Sequence, residues 1–296
     1  MTAAHGFFAL LATSFLYGAT AIFMRELAPE FSGYQQVVYR NLFAALLLLP
    51  FAAHFVVLRN QPRKTQLLIL IPSVLYPIVL TLFTYGVLLG TIAGTIFGLY
   101  LSSVITGTLL GRVLFGEQLV GRTLLGMSIA VLGLIIHSAP PVTGEPIGIG
   151  VLLGIIGGAL QASANTVRKI VSTKELRIPM IALQSWLSVP IIGFLVVVNE
   201  QAIVPTAPIS LWGWVVAYAA MQVVFVYLLL VGFEYYPVNL GHVVLATELI
   251  FGALIGIGLY GEMPTVYQWV GMVLIFAAIV LIYGCKQQGE SKCSTS

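Results

Sequence analysis

Two side chains in this 296-residue sequence stand where an ionisable group is expensive: Glu248 and Arg40, each set in a long apolar stretch. Glu248 lies about midway between Glu234 and Glu262. A charge at the centre of a bilayer costs roughly 2.5 to 3.5 kcal/mol on insertion scales, so an acid at that depth points to function. It would take up and release a proton, or it would sit neutral and hydrogen-bonded, holding helices together. Arg40 follows Ser32 by eight residues, about 12 Å along a helix axis at 1.5 Å per residue. Running inward from the opposite face, it reaches a similar depth. It could pair with Glu248, anchor to headgroups, or hold a solute carboxylate through two parallel hydrogen bonds. A cation facing an anion across one cavity would suit a zwitterion such as an amino acid.

Softer candidates for solute binding surround this pair. Gln161, Asn165, Gln184 and Gln222 fall inside apolar stretches, where amides bridge helices as readily as they touch ligands. Tyr76, Tyr85 and Tyr100 could form an aromatic wall with a polar tip on each ring. His242 could titrate near neutral pH, although packing explains it equally well. Metal-ligating and catalytic sets are missing. Cys285 and Cys293 lie at the extreme C-terminus, far from any His or Glu cluster, so no metal site is expected. Gly256 to Gly261 matches a dinucleotide fingerprint as a string, yet it ends an apolar run instead of linking a strand to a helix. Ser102 and Ser103 with His242 are brought together by nothing in the sequence. Walker, Gly-x-Ser-x-Gly and His-Glu-x-x-His motifs are absent, so no catalytic residues and no cofactor are expected.

The elements that must position these residues follow from composition. Apolar residues make up 59% of the chain and charged ones 8%, against about 25% in soluble domains, and the mean hydropathy is +1.03. The solvent is lipid, and the expected class is an all-α integral membrane protein. A net charge of +3 on scattered Lys and Arg makes no basic stripe, so nucleic acid is excluded as a partner. Charges punctuate the spans. The gaps between them predict ten helices at 4–24, 33–57, 67–88, 92–112, 122–138, 148–171, 178–198, 209–232, 238–260 and 265–285. With the N-terminus in the cytoplasm, one face collects Arg59, Arg63, Lys64, Arg112, Arg122, Arg168, Lys169, Lys174, Arg177, Lys286 and Lys292, while the other has only Arg25. The positive-inside rule then places both termini in the cytoplasm of a multi-pass cell (inner) membrane protein. Residues 286–296, polar and Ser-rich, read as a disordered tail.

The chain also repeats itself. Leu114-Phe115-Gly116-Glu117 with Gly126 recurs as Leu259-Tyr260-Gly261-Glu262 with Gly271, and Leu10 to Arg25 lies over Leu153 to Arg168. Residues 1–139 and 140–285 thus form two units of five helices. Five is odd, so the second unit enters the membrane inverted, the build of secondary transporters with a shared midplane site. Gly18 opening Gly-Ala-Thr-Ala-Ile-Phe, the Arg in the second helix, the glycine-rich fourth and ninth helices, and the paired Gly116-Glu117 and Gly261-Glu262 resemble the EamA repeats of the drug/metabolite transporter superfamily. That resemblance implies a ten-helix carrier, not an enzyme, with a cavity formed by helices one to four and six to nine. It also implies export of amino acids, related metabolites or drugs by alternating access. Glu248 is the candidate for proton coupling. The expected partners are the bilayer, a small solute and protons, with the chain as monomer or homodimer. A membrane-embedded enzyme or a non-transporting assembly subunit is the alternative.

Overall fold

The computed structural model describes residues 2–51, 54–89, 92–118, 121–138 and 148–293. The expected boundary between the two units, at 139 and 140, lies outside them. All regular structure among the described residues is helical: α1 Ala3–Leu27, α2 Gly33–Leu47, α3 His54–Arg59, α4 Arg63–Leu89, α5 Ile92–Phe115, α6 Gly121–His137, α7 Ile149–Val171, α8 Arg177–Val198, α9 Ile209–Tyr235, α10 Val238–Leu245, α11 Glu248–Tyr260 and α12 Val266–Cys293. Helix is what lipid demands, because it satisfies every backbone polar group within its own segment. Seven spans among the described residues are long and apolar enough to cross a membrane, and Gly121–His137 and Val266–Ile282 are shorter apolar helices. Exposed Phe8, Leu109, Phe194 and Phe276 show that the apolar side chains face outward as well as inward.

Two of the ten expected spans are broken. The expected span 33–57 ends as a helix at Leu47, followed by a 3₁₀ turn over Leu49–Phe51 and the short α3. Pro50 explains the stop: it donates no N–H, and its ring would meet the carbonyl of residue 46. The expected span 238–260 divides at Ala246 and Thr247 into α10 and α11. No proline acts there. Thr247 turns its hydroxyl onto the Val244 carbonyl at 2.6 Å, and the amides of Thr247 and Leu249 reach back three residues instead of four. The chain thus tightens into one 3₁₀ turn. The hydroxyl of Ser14, on α1, donates to the carbonyls of Val244 and Leu245 at 3.1 Å each and so satisfies backbone groups at the break. At the C-terminus, helical backbone continues through Cys293, where a disordered tail is expected from 286. Residues 294–296 lie outside the described residues.

The packing obeys a two-fold exchange of the halves. Helix α7 packs on α5 and α4 as α1 packs on α10, α11 and α9, while α2 meets α8 and α6 meets α12 across the exchange axis. Contacts along the helices fix their directions. Gly18 abuts Gly252 and Arg25 meets Glu262, so α1 runs parallel to α10 and α11. Leu10 meets Gly232 and Phe23 stacks on Tyr218, so α1 opposes α9. Gly154 and Gly158 pack on Thr95 and Leu99, which makes α7 parallel to α5. Asn41 meets Gln222 and Arg40 meets Tyr218, so α2 is parallel to α9. Gly107 meets His242 and Gly111 meets Asn239, so α5 opposes α10; helix α1 therefore runs opposite to α7, and the two halves are inverted.

Each half closes its fourth helix in the same way. Gly116 and Gly261 adopt left-handed φ values of 63° and 66°. The Glu117 amide then bonds the Gly111 carbonyl at 3.2 Å, and the Glu262 amide bonds that of Gly256 at 3.1 Å. These are glycine-terminated helix ends in which a side chain at the glycine position would be strained. They lie at opposite ends of the molecule. The end near Glu117 carries Arg59, Arg63, Lys64, Arg112, Arg122, Lys169, Lys174 and Arg177, and the end near Glu262 carries Arg25.

Candidate functional site

Polar side chains from both halves converge at mid-depth. Tyr76 is at the midpoint of α4, Tyr17 sits near the middle of α1, and Glu248 is the first residue after the break in the α10–α11 segment. Tyr17 lies within electrostatic reach of Tyr76, Arg168, Glu248 and Arg40. Tyr17, Tyr76 and Glu248 are each half-buried.

Arg40 is 5% exposed. Its guanidinium lies 4.5 Å over the Tyr218 ring, a cation–π arrangement, and it faces the hydroxyl of Tyr76. Its Nε has no hydrogen-bond partner among the described residues. Of the alternatives the sequence leaves open for Arg40, an ion pair with Glu248 does not form among the described residues. Glu248 instead accepts from the Tyr100 hydroxyl, a bond between the two halves.

A second arginine belongs here. Sequence counting places Arg168 at the cytoplasmic surface, but it is 4% exposed, three residues short of the end of α7. Its side chain leans back toward the helix N-terminus, as Cβ geometry dictates, and so toward mid-depth. Nη1 donates to Asn165 Oδ1 at 2.7 Å and Nη2 to Gln184 Oε1 at 2.5 Å. A crevice beside it, too tight to hold a water molecule, is lined by Pro72, Ser73, Gln184 and Val226 among others. The spacing of Gln161, Asn165 and Arg168 puts all three on one face of α7.

Of the residues singled out by sequence, the structure brings together Arg40, Tyr76, Tyr100, Glu248, Asn165 and Gln184. Gln222 joins at the margin by donating to Asn41 Oδ1 at 2.8 Å, next to Arg40, and Gln161 stands one turn before Asn165. His242 is elsewhere. It is buried against Phe233, 5.1 Å between ring centroids, and against Gly107. Tyr85 is near the Glu262 end, where its hydroxyl accepts from Asn199 Nδ2 at 3.1 Å. Sequence reasoning missed Tyr17, Tyr218 and Arg168. For Arg168 the only available signal was its helical register with Gln161 and Asn165; the tyrosines carried none.

Among the described residues no group of His, Cys or Glu could hold a metal ion. The cluster gathers cationic, carboxyl and phenolic groups from both halves. No curated protein matches the chain. Among solved structures 28 chains match. One, a crystal structure titled only as that of a protein, superposes with a TM-score of 0.78 at 14% identity over 98% of this chain and 100% of its own, which is a likeness of fold. The model of the EamA-like transporter family matches twice, over residues 4–139 and 148–284. Those two stretches coincide with the inverted halves seen in the packing, and by that match the chain belongs to the EamA-like transporter family.

Proposed function

We propose that the chain is a secondary carrier for a small organic solute, an amino acid or related metabolite, moved outward by alternating access about the Tyr17 cluster. Its family is one of transporters, not of enzymes. The observation that carries the reading is the convergence of Arg40, Tyr76, Glu248 and Arg168 on Tyr17 at the interface of two inverted halves, the place where such carriers hold their cargo. The segmented α10–α11 adds to it, since a broken span can bend. Counting α2 with α3, and α10 with α11, as single crossings gives ten spans. The excess of basic residues at the Glu117 end orients that end, and both termini, toward the cytoplasm of the cell membrane.

Glu248 is the proton-coupling group in this reading. It is the acid of the cluster, and its bond to Tyr100 links the halves that must rock. Purified protein in sealed liposomes, assayed by counterflow over a panel of amino acids, purines and cationic drugs, tests the carrier reading; no accumulation of any solute would end it. Glu248→Gln should abolish uptake driven by a pH gradient and leave solute exchange intact. Unchanged gradient-driven uptake would remove the coupling role alone.

A further inference from the structure

We infer that the cargo carries a carboxylate, and that two internal guanidinium groups, Arg40 of the first half and Arg168 of the second, receive it in turn. This rests on the carrier reading and adds the chemical class of the solute. Both arginines are more than nine-tenths buried. Neither meets a carboxylate among the described residues, where the ion pairs are Arg25–Glu262, Lys169–Glu117 and Arg177–Glu234. The titratable groups facing Arg40 and Arg168 are tyrosines, whose phenols are neutral and offer no counter-charge. A buried cation without a counter-ion is strongly disfavoured, and in a membrane interior such a group marks a substrate path.

Orphan polar groups in the same place lean toward donors. Arg40 Nε, Asn165 Nδ2 and Gln184 Nε2 are buried without acceptors. Asn165 and Gln184 give their oxygens to Arg168, which fixes its planar fork and turns their own N–H groups to other use. The unpartnered oxygens of Gln161 and Gln222 suit donors elsewhere on the same solute. Glu248 does not supply the missing anion, because it is engaged with Tyr100. Two guanidinium charges thus stand against at most one carboxylate, and a solute carboxylate corrects the imbalance through charge-assisted hydrogen bonds.

Position gives the order of events. Arg40 enters from the Glu262 end, seven residues into α2, and Arg168 from the Glu117 end, three residues from the close of α7. Both act on the hydroxyls of Tyr17 and Tyr76, so a carboxylate passing from one guanidinium to the other stays among donors. The walls are aromatic, with Tyr17 edge-on to Phe225 at 4.8 Å and Phe23 stacked on Tyr218 at 5.0 Å, which favours an acid with an apolar or aromatic body.

The test uses the full chain in detergent and follows its unfolding temperature by tryptophan fluorescence. The probes are benzoate, 3-phenylpropionate and L-phenylalanine, each beside its primary amide. At least one acid should raise the unfolding temperature saturably while its amide does not. Arg40→Gln and Arg168→Gln should each weaken that acid about tenfold or more, the loss of one charged hydrogen bond, with Arg40→Lys and Arg168→Lys in between. Acids and amides acting alike, no acid acting, or Gln variants that unfold earlier yet keep wild-type affinity would each overturn the inference. Exchange of the same probes in liposomes separates the two claims. Acid binding without flux removes the carrier reading alone, and flux of an amide without acid binding removes this inference alone.

Discussion

Glu117 and Glu262 occupy matching positions in the two halves, yet their neutralisation should have very different consequences. The Glu117 carboxylate accepts from the amides of Val238 and Asn239 at 2.8 and 3.0 Å, at the first turn of α10, and from Lys169 Nζ at 2.9 Å. Its side chain is 11% exposed and that of Lys169 is 18%. Glu262 pairs with Arg25 at side-chain exposures of 53% and 46%. Hydrogen bonds to a charged group are worth about 1.5 to 3 kcal/mol, and a helix N-terminus favours an anion by up to about 2 kcal/mol in partly buried sites. Gln keeps one acceptor oxygen, so Glu117→Gln forfeits one amide bond, the dipole attraction and the charge opposite Lys169. The expected loss is about 3 kcal/mol. Exposed pairs are worth about 0 to 1 kcal/mol, so Glu262→Gln should cost less than about 1 kcal/mol. Reversible unfolding in mixed micelles, with Lys169→Met added to complete a double-mutant cycle, reads both numbers. Equal losses for the two glutamates, or additivity between Glu117 and Lys169, would refute the reasoning.

Other outcomes follow from packing. A methyl group on Gly158 would run into the Leu99 carbonyl and the Ser102 hydroxyl of α5, whereas one on Gly193 would meet no atom within 4 Å. Gly158→Ala should therefore lower the unfolding temperature, by about 1 to 3 kcal/mol of overpacking or more, and Gly193→Ala should leave it unchanged or raise it; the reverse order would be decisive against the α5–α7 contact. Arg177 is buried and donates to Glu234 through Nε and Nη2 at 3.2 and 2.7 Å. Arg177→Gln should cost about 3 kcal/mol, and adding Glu234→Gln should recover part of it. A double variant no more stable than the single one would show that the pair's charges are not what matters.

Much of this fold was legible because lipid makes the sequence strict. A charge that faces lipid is costly, so gaps between charges located α1, α4, α5, α7, α8 and α9 to within a few residues. Pro50 offered a stop for α2 that charge counting passed over, whereas the break after α10 was not legible. Ala246 and Thr247 are as acceptable in a continuous apolar helix as in a 3₁₀ turn, and what decides between them is Ser14, more than two hundred residues away. Glu248 and Arg40 stood out by depth alone. Arg168 did not, because its Cα lies near a helix end, where surface cations are ordinary, while its side chain leans inward. Tyr17 was invisible for a different reason: thirteen tyrosines share the chain, and only packing shows which of them face both arginines.

The principal helix contacts join one half to the other: α7 with α4 and α5, α1 with α9, α2 with α8, α6 with α12. The molecule is thus an interlocked dimer whose subunits happen to be tethered. During synthesis the first half is complete before the surfaces it packs against exist, so its glycine faces and buried polar groups find their partners only once the second half follows.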